Sequence, residues 1–223
     1  MLTNRSTFDR QLGILRDQVI QISDLVEQTI AESMKALQKH DFEMAQHINQ
    51  FDSQINARRF QVEEYAYQLL ALQQPNASDL RLIVALVSVV TNLERIGDHA
   101  AGIARLVLRL GEHPALPTPD EFSPMAGLAQ WLVRNAMTSF VTSDLDLAKQ
   151  VLIRDAEINQ LHQSVYHSII EQMTHNPATV ESGTLLLWVS HNLERIGDRA
   201  TNIAGRVPYL VRGELIRHPD AMP

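Results

Sequence analysis

The sequence predicts an all-α protein built as two tandem three-helix bundles related by internal duplication. Three observations carry that expectation. The heptapeptide NLERIGD occurs at residues 92–98 and again at 192–198. The stretch DFEMAQHINQFDSQIN (41–56) aligns with DLDLAKQVLIRDAEIN (144–159) at an offset of 103, whereas the heptapeptides lie 100 apart. Prolines are scarce in the long segments and gather in GEHPALPTPDEFSP, as Pro114, Pro117, Pro119 and Pro124. A repeat this large indicates duplication of one supersecondary unit. The expected organisation is a first repeat over 1–111, a proline-rich linker over 112–124 and a second repeat over 125–223.

The elements follow from breaks and periodicity. Asp41 and Asp144 sit where a carboxylate would accept the free amides of a starting helix, so each is expected to cap one. Lesser breaks fall at Pro75 and Pro177. The first segment repeats apolar or small residues every three or four positions: Leu12, Leu15, Val19, Ile22, Val26, Thr29 and Ser33. The second shows Ile48, Phe51, Ile55, Val62, Ala66 and Leu69. The third shows Leu86, Val90, Leu93, Gly97, Ala101 and Ala104. These are narrow helical seams. Gly97, Ala100, Ala101 and Gly102 would let a neighbouring helix come close. Helices of about 30 residues, about 45 Å long at 1.5 Å per residue, are expected. Pro208 should kink or end the last helix.

Composition narrows the function. The 223-residue chain carries 19 Lys+Arg against 26 Asp+Glu, a net charge of -7, which argues against sequence-independent nucleic-acid binding. It has no cysteine, so disulfides, thiolate metal sites and cysteine nucleophiles are excluded. Any metal must use oxygen or imidazole ligands. No apolar run is long enough to span a bilayer, and the N-terminal stretch lacks a signal-peptide core, so a cytoplasmic location is expected.

The heptapeptide places two carboxylates, Glu94 and Asp98, one turn apart on a single helix face beside the apolar seam. Glu194 and Asp198 repeat the pair. The preceding segment supplies Asp52 and Asn56, and in the second copy Asp155 and Asn159. Asp52 lies 23 residues before Pro75 and Asp98 lies 23 after it; Asn56 and Glu94 are likewise equidistant, at 19. In an antiparallel hairpin, Asp52 therefore faces Asp98 and Asn56 faces Glu94. The second hairpin is three residues shorter but keeps this symmetry about Asn176 and Pro177. Preservation of register implies that the two pairs must meet. Three carboxylates and an amide at one level need compensation. A bound cation, the neighbouring Arg95 or Arg195, a basic group from the other repeat, or solvation at the bundle surface would each supply it.

NLERIGDHAAGIA, NLERIGDRATNIA and the longer QQPNASDLRLIVALVSVVTNLERIGD resemble the signature motifs of the PhoU family of phosphate-signalling regulators. The resemblance covers nearly the whole chain, the duplication included. It implies two three-helix bundles related by pseudo-twofold symmetry. It implies iron or zinc clusters in some members, at positions matching Asp52, Glu94, Asp98, Asp155, Glu194 and Asp198. It implies negative regulation of the phosphate-starvation response, acting between the phosphate ABC transporter ATPase and a sensor histidine kinase, with membrane association only through those partners. A homodimer is expected. The chain departs from the family where Asn56 and Asn159 replace a frequent Asp, which removes one negative charge from each site.

The remaining residues have plainer readings. Asp79 is expected to cap the third helix and Arg81 to reach water at the bundle end; a partner-binding role is the alternative for both, as it is for Arg95 and Arg195. His99 and His191 read as surface or hydrogen-bonded residues rather than ligands. Trp131 and Trp188 read as core or helix-interface residues. An enzyme is not expected. A carboxylate-bridged di-iron bundle needs Glu-x-x-His on two helices, and the chain has none; His191 and Glu194 stand in the reverse order. No nucleophile–base pair or phosphate-cradling glycine loop is legible.

Overall fold

Local capping and apolar seams set the helices, and the computed structural model describes them over residues 5–114 and 116–214. Among the described residues seven α-helices occur in the order α1 (Arg5–Lys39), α2 (Phe42–Gln73), α3 (Ala77–Leu110), α4 (Phe122–Thr142), α5 (Leu145–His175), α6 (Val180–Ala204) and α7 (Val207–Arg212). Among the described residues there is no strand, and no helix is long and apolar enough to cross a membrane. Helices α1 to α3 pack on one another as one bundle and α4 to α6 as a second; the bundles meet through α3 against α6 and α1 against α4.

The caps are as the sequence requires in two cases and different in one. Asp41 accepts the amide of Met44, and Asp144 that of Leu147. Helix α3, however, is capped by Asn76, whose side chain accepts the amides of Ser78 and Asp79. Asp79 is one turn inside and is held by Arg5, with Nη1 2.5 Å from Oδ2. An acidic side chain in the first turn also suits the helix dipole. Asn176 repeats the role of Asn76 before α6, accepting the amide of Ala178. The three residues missing from the second copy are now placed. Helix α5 is one residue shorter than α2, and the Gln74–Pro75 step of the first turn has no counterpart.

The seams are buried as read. The residues named in the first helix are all buried, as are those of the third; in the second, Phe51 alone is half-buried. The 103-residue offset extends backwards into α1 and α4. Ile22, Val26, Ile30, Met34 and Leu37 correspond to Met125, Ala129, Val133, Met137 and Phe140, and all ten are buried. Four of the five pairs differ in side chain while keeping their burial, and only Met34 and Met137 are the same residue. Helix α4 is 21 residues against 35 for α1, shorter than the length expected, because it starts where the linker ends. Pro124 lies in its first turn, where the missing N–H is harmless. Pro208 ends the long helix: α6 stops at Ala204, and α7 carries Pro208 in its first turn.

Helices α3 and α6 cross antiparallel. A Cβ on Gly102 would sit 3.3 Å from Asn192 Oδ1, and Gly213, just after α7, lies against Arg81 near the start of α3. Arg81 is thus covered, with its Nε buried and unbonded, rather than extended into water. The linker is tied down where Ser182 Oγ donates to the Pro114 carbonyl at 2.6 Å. Trp131 is half-buried beneath the Arg154 guanidinium, 4.1 Å from the ring centroid. Trp188 departs from expectation: it is 54% exposed. Leu93 and Leu193 are fully buried at equivalent positions of the two bundles. Truncating either to Ala should lower the unfolding free energy by about 2–5 kcal/mol in urea titrations, with little difference between the two.

Candidate functional site

Each acidic hairpin forms because its motif glycine lets two helices touch. A Cβ on Gly97 would lie 2.8 Å from Ile55 Cδ1, and one on Gly197 would lie 3.0 Å from both Asp155 Oδ1 and Ile158 Cγ2. That contact draws α3 onto α2, and α6 onto α5, at the level of the carboxylates.

In the first hairpin, Asp52 and Asp98 meet as the register predicts. Burial first, then the charge and hydrogen bond of Asp98, raise the Asp52 carboxyl above its ordinary range, with Arg105 opposing. Glu94 is buried, and Arg95 spans both acids of the heptapeptide, 3.5 Å from Glu94 and 3.6 Å from Asp98. Asn56 makes no hydrogen bond to Glu94. Arg59, one turn further along α2, reaches instead, with its Nε 3.7 Å from Glu94 Oε1 while its Nη1 pairs with Glu63 at 2.7 Å.

The second hairpin brings Asp155, Asp198 and Glu194 together. Burial and then the charge of Asp198 push Asp155 up to about 6, while the Asn159 amide on the same helix lowers it. Glu194 is raised by burial, then by Asp198, against the pull of Arg195. Arg195 lies 3.0 Å from Glu194 and 2.7 Å from Asp198. Its approach to Glu194 is off the hydrogen-bond direction, so Glu194 Oε2 is buried without a hydrogen-bond partner; Asp155 Oδ1 is also buried and unpartnered.

The two copies differ in their basic neighbours, which the sequence reading missed. The 103-residue offset that pairs Asp52 with Asp155 also pairs Arg59 with His162. His162 Nδ1 lies 2.6 Å from Ser190 Oγ, and its ring centroid is 6.3 Å from that of His191. His99, from the first bundle, donates through Nδ1 to Asn192 Oδ1 at 2.9 Å, so it is hydrogen-bonded as expected. His191 stacks edge-on against Trp188 and lies 3.8 Å from Glu194. Burial lowers all three imidazoles, and Arg195 adds to the effect in each. Ser190 and His162 form a hydroxyl–imidazole contact that sequence spacing could not show. Ser190 is fully buried and also faces Met125 Sδ, so no substrate reaches it.

Among the described residues, no three Asp, Glu or His side chains are placed to hold one ion. The cationic position beside each heptapeptide is taken by its own arginine, and each asparagine contributes a neutral amide. What the geometry provides is a pair of partly buried carboxylate clusters, each clamped by an exposed arginine. The residues considered for partner binding divide accordingly. Asp79 is held by Arg5 and Arg81 is covered, while Arg95 and Arg195 remain at the surface.

A PhoU domain model matches residues 19–107 and 122–207, one match per bundle. The chain belongs to the PhoU family. The phosphate-specific transport system accessory protein PhoU homologue of Pseudomonas aeruginosa is 34% identical over 95% of this chain and 88% of its own length. The protein of the same description from Streptococcus pneumoniae is 34% identical over 95% of this chain and 98% of its own. The crystal structure of PhoU from Pseudomonas aeruginosa superposes with a TM-score of 0.88 at 33% identity, covering 93% of this chain and all of that one. The phosphate transport system regulatory protein PhoU from Streptococcus pneumoniae gives the same TM-score at 32% identity, with 95% of this chain covered. The PhoU family thus accounts for both copies of the repeat and for the all-helical architecture.

Two outcomes test the site. Because Asp155 is raised in the fold, the native state binds its proton more tightly than the unfolded chain, so stability falls as pH rises from about 4 through about 6. Asp155→Asn, which removes that titration while Asp198, Glu194 and Arg195 remain, should melt higher than the parent at pH 7 and match it at pH 4. Chelator treatment of protein purified without a metal-affinity tag should leave its melting temperature and helical circular dichroism unchanged, since the arginines already compensate the carboxylates.

Proposed function

We propose that this chain is a non-catalytic regulator of phosphate uptake. It would bind the ATPase of a phosphate ABC transporter and, through a sensor histidine kinase, hold down the phosphate-starvation response when phosphate is plentiful. The observation that carries this reading is the match of both bundles to PhoU domains, with the paired heptapeptides intact at Glu94, Asp98, Glu194 and Asp198. Relatives described as an accessory protein of the phosphate-specific transport system and a phosphate transport system regulatory protein support it. The arginine-clamped carboxylates of the two acidic hairpins are compatible with that reading.

The exposed Arg95 and Arg195, with Trp188 about two turns before Arg195 on α6, are the side chains a docking partner would meet first. Aromatic and arginine side chains are the residue types that anchor protein interfaces. A cytoplasmic homodimer remains part of this proposal, and the association with the membrane would run through the transporter alone.

The test is genetic and then physical. Removing the gene should raise a phosphate-starvation reporter in phosphate-rich medium, and the intact gene supplied in trans should restore repression. The purified chain should bind the purified transporter ATPase in calorimetry, with Trp188→Ala weakening binding roughly tenfold or more. No change in reporter or uptake on deletion would sink the reading.

A further inference from the structure

Helix α2 carries apolar side chains on two faces. Its inner seam, Ile48, Ile55, Val62, Ala66 and Leu69, is buried where α2 packs on α1 and α3. A second row runs along its outer face at spacings of three and four: Ala57, Phe60, Glu64, Tyr67 and Ala71, all exposed. Phe60 is 61% exposed and Tyr67 56%. Apolar side chains scattered singly over a surface are ordinary. Two aromatics seven residues apart, with an alanine at each end of the row, have instead the spacing by which one helix receives another. From Ala57 to Ala71 the row is about 21 Å long at 1.5 Å per residue. Phe60 is also held in place. The Arg59 guanidinium lies 4.2 Å from its ring centroid while pairing with Glu63 at 2.7 Å and approaching Glu94 of α3 at 3.7 Å. An aromatic fixed before binding loses little freedom on binding, which favours it as an interface anchor.

The second bundle shows that this row is not a by-product of the repeat. At the 103-residue offset, its five positions become Gln160, Gln163, His167, Ile170 and Thr174, all exposed as well. Four of the five are polar there. The outer face of α5 is thus a solvated face, and the same face of α2 departs from it by gaining two aromatics and two alanines.

Charge decides what covers the row. Glu64 stands at its centre, is its one charged member, and makes no ion pair among the described residues. A second copy of the chain, paired along the row in either direction and centred on it, sets two Glu64 carboxylates face to face between apolar side chains, which like-charge repulsion opposes. An anionic membrane surface is repelled for the same reason. We propose that the outer face of α2 is a docking surface for a helix of another protein, one that carries apolar side chains at spacings of three and four around a central lysine or arginine. The apolar row of that helix lies on Phe60 and Tyr67, the alanines let its backbone come close at both ends, and its basic group meets Glu64. A single helix pair buries little surface, so the contact is weak, with a dissociation constant on the order of 10 μM.

The experiment measures fluorescence anisotropy of a labelled synthetic helical peptide of three heptads titrated with the full chain. The peptide has leucine at its a and d positions except for one central lysine, and its twin has glutamate at that place. The lysine peptide should bind in the micromolar range and the glutamate twin at least tenfold more weakly. Glu64→Lys should reverse that preference, a result that a merely sticky surface cannot give. The double variant Phe60→Ala/Tyr67→Ala should lose both peptides while its circular dichroism and melting curve match the parent, since both side chains are exposed. Equal binding of the twins, binding of neither, or unaltered affinity in the double variant would each overturn the assignment. So would a lower mass of the double variant than of the parent in sedimentation equilibrium, which would give the row to a second copy. Binding to the transporter ATPase, measured in parallel, separates this inference from the proposed function: a chain that binds the peptide but not the ATPase keeps the α2 surface and loses the regulatory reading, and the converse loses the surface alone.

Discussion

The close approach of two helices at a motif glycine is the contact on which the rest of the molecule depends. At Gly97 the third helix lies against Ile55, and at Gly197 the sixth lies against Ile158 and Asp155. A side chain there would press on Ile55, or on Asp155 and Ile158, and force that neighbour to shift. With the helices this close, carboxylates four residues apart on one and singly placed on the other fall within reach of each other. Burial then raises Asp52, Asp155 and Glu194, and the repulsion has to be answered from nearby. The chain answers it with the arginine that sits inside the heptapeptide itself. Packing comes first, the electrostatic problem follows from it, and Arg95 and Arg195 are the solution built into the same seven residues.

The large features were open to reading because each rests on a repeating signal. Three- and four-residue spacing gave the seams, proline and aspartate gave the breaks, and the duplicated heptapeptide gave the two bundles and their family. The meeting of Asp52 with Asp98 could be foreseen because antiparallel register is arithmetic about a turn. The rest depended on reach, which spacing does not encode. Arg59 is long enough to bypass Asn56 and approach Glu94. Asn76 outcompetes Asp79 for the helix cap because it stands before the first turn rather than inside it, and Asp79 is left to meet Arg5 from 74 positions away in the chain. Trp188 looked like a core residue by type, but its helical angle turns it outward.

The two copies have drifted unequally. Their buried positions correspond along α1 and α4 even where no residue is shared, while the polar residues around them have changed identity. Arg59 has become His162 beside one acidic cluster, and His99 faces Arg199 across the junction between bundles. The core is thus the conserved frame within this one molecule, and the charged surroundings are where the halves have been given different chemistry. The halves also differ in length, α1 having 35 residues against 21 for α4.

The antiparallel crossing of α3 and α6 has a consequence for ancestry. Equivalent residues of the two halves face each other about one axis, as in an isologous dimer. Before duplication, a single unit would have met its own copy through this face, and fusion through the proline-rich linker turned an encounter between two chains into a contact within one. That raised the effective concentration of each half for the other. It also released the halves from identity: Gly102 and Asn192 can now be a matched but unlike pair, as no symmetric dimer of one sequence could keep to one side alone.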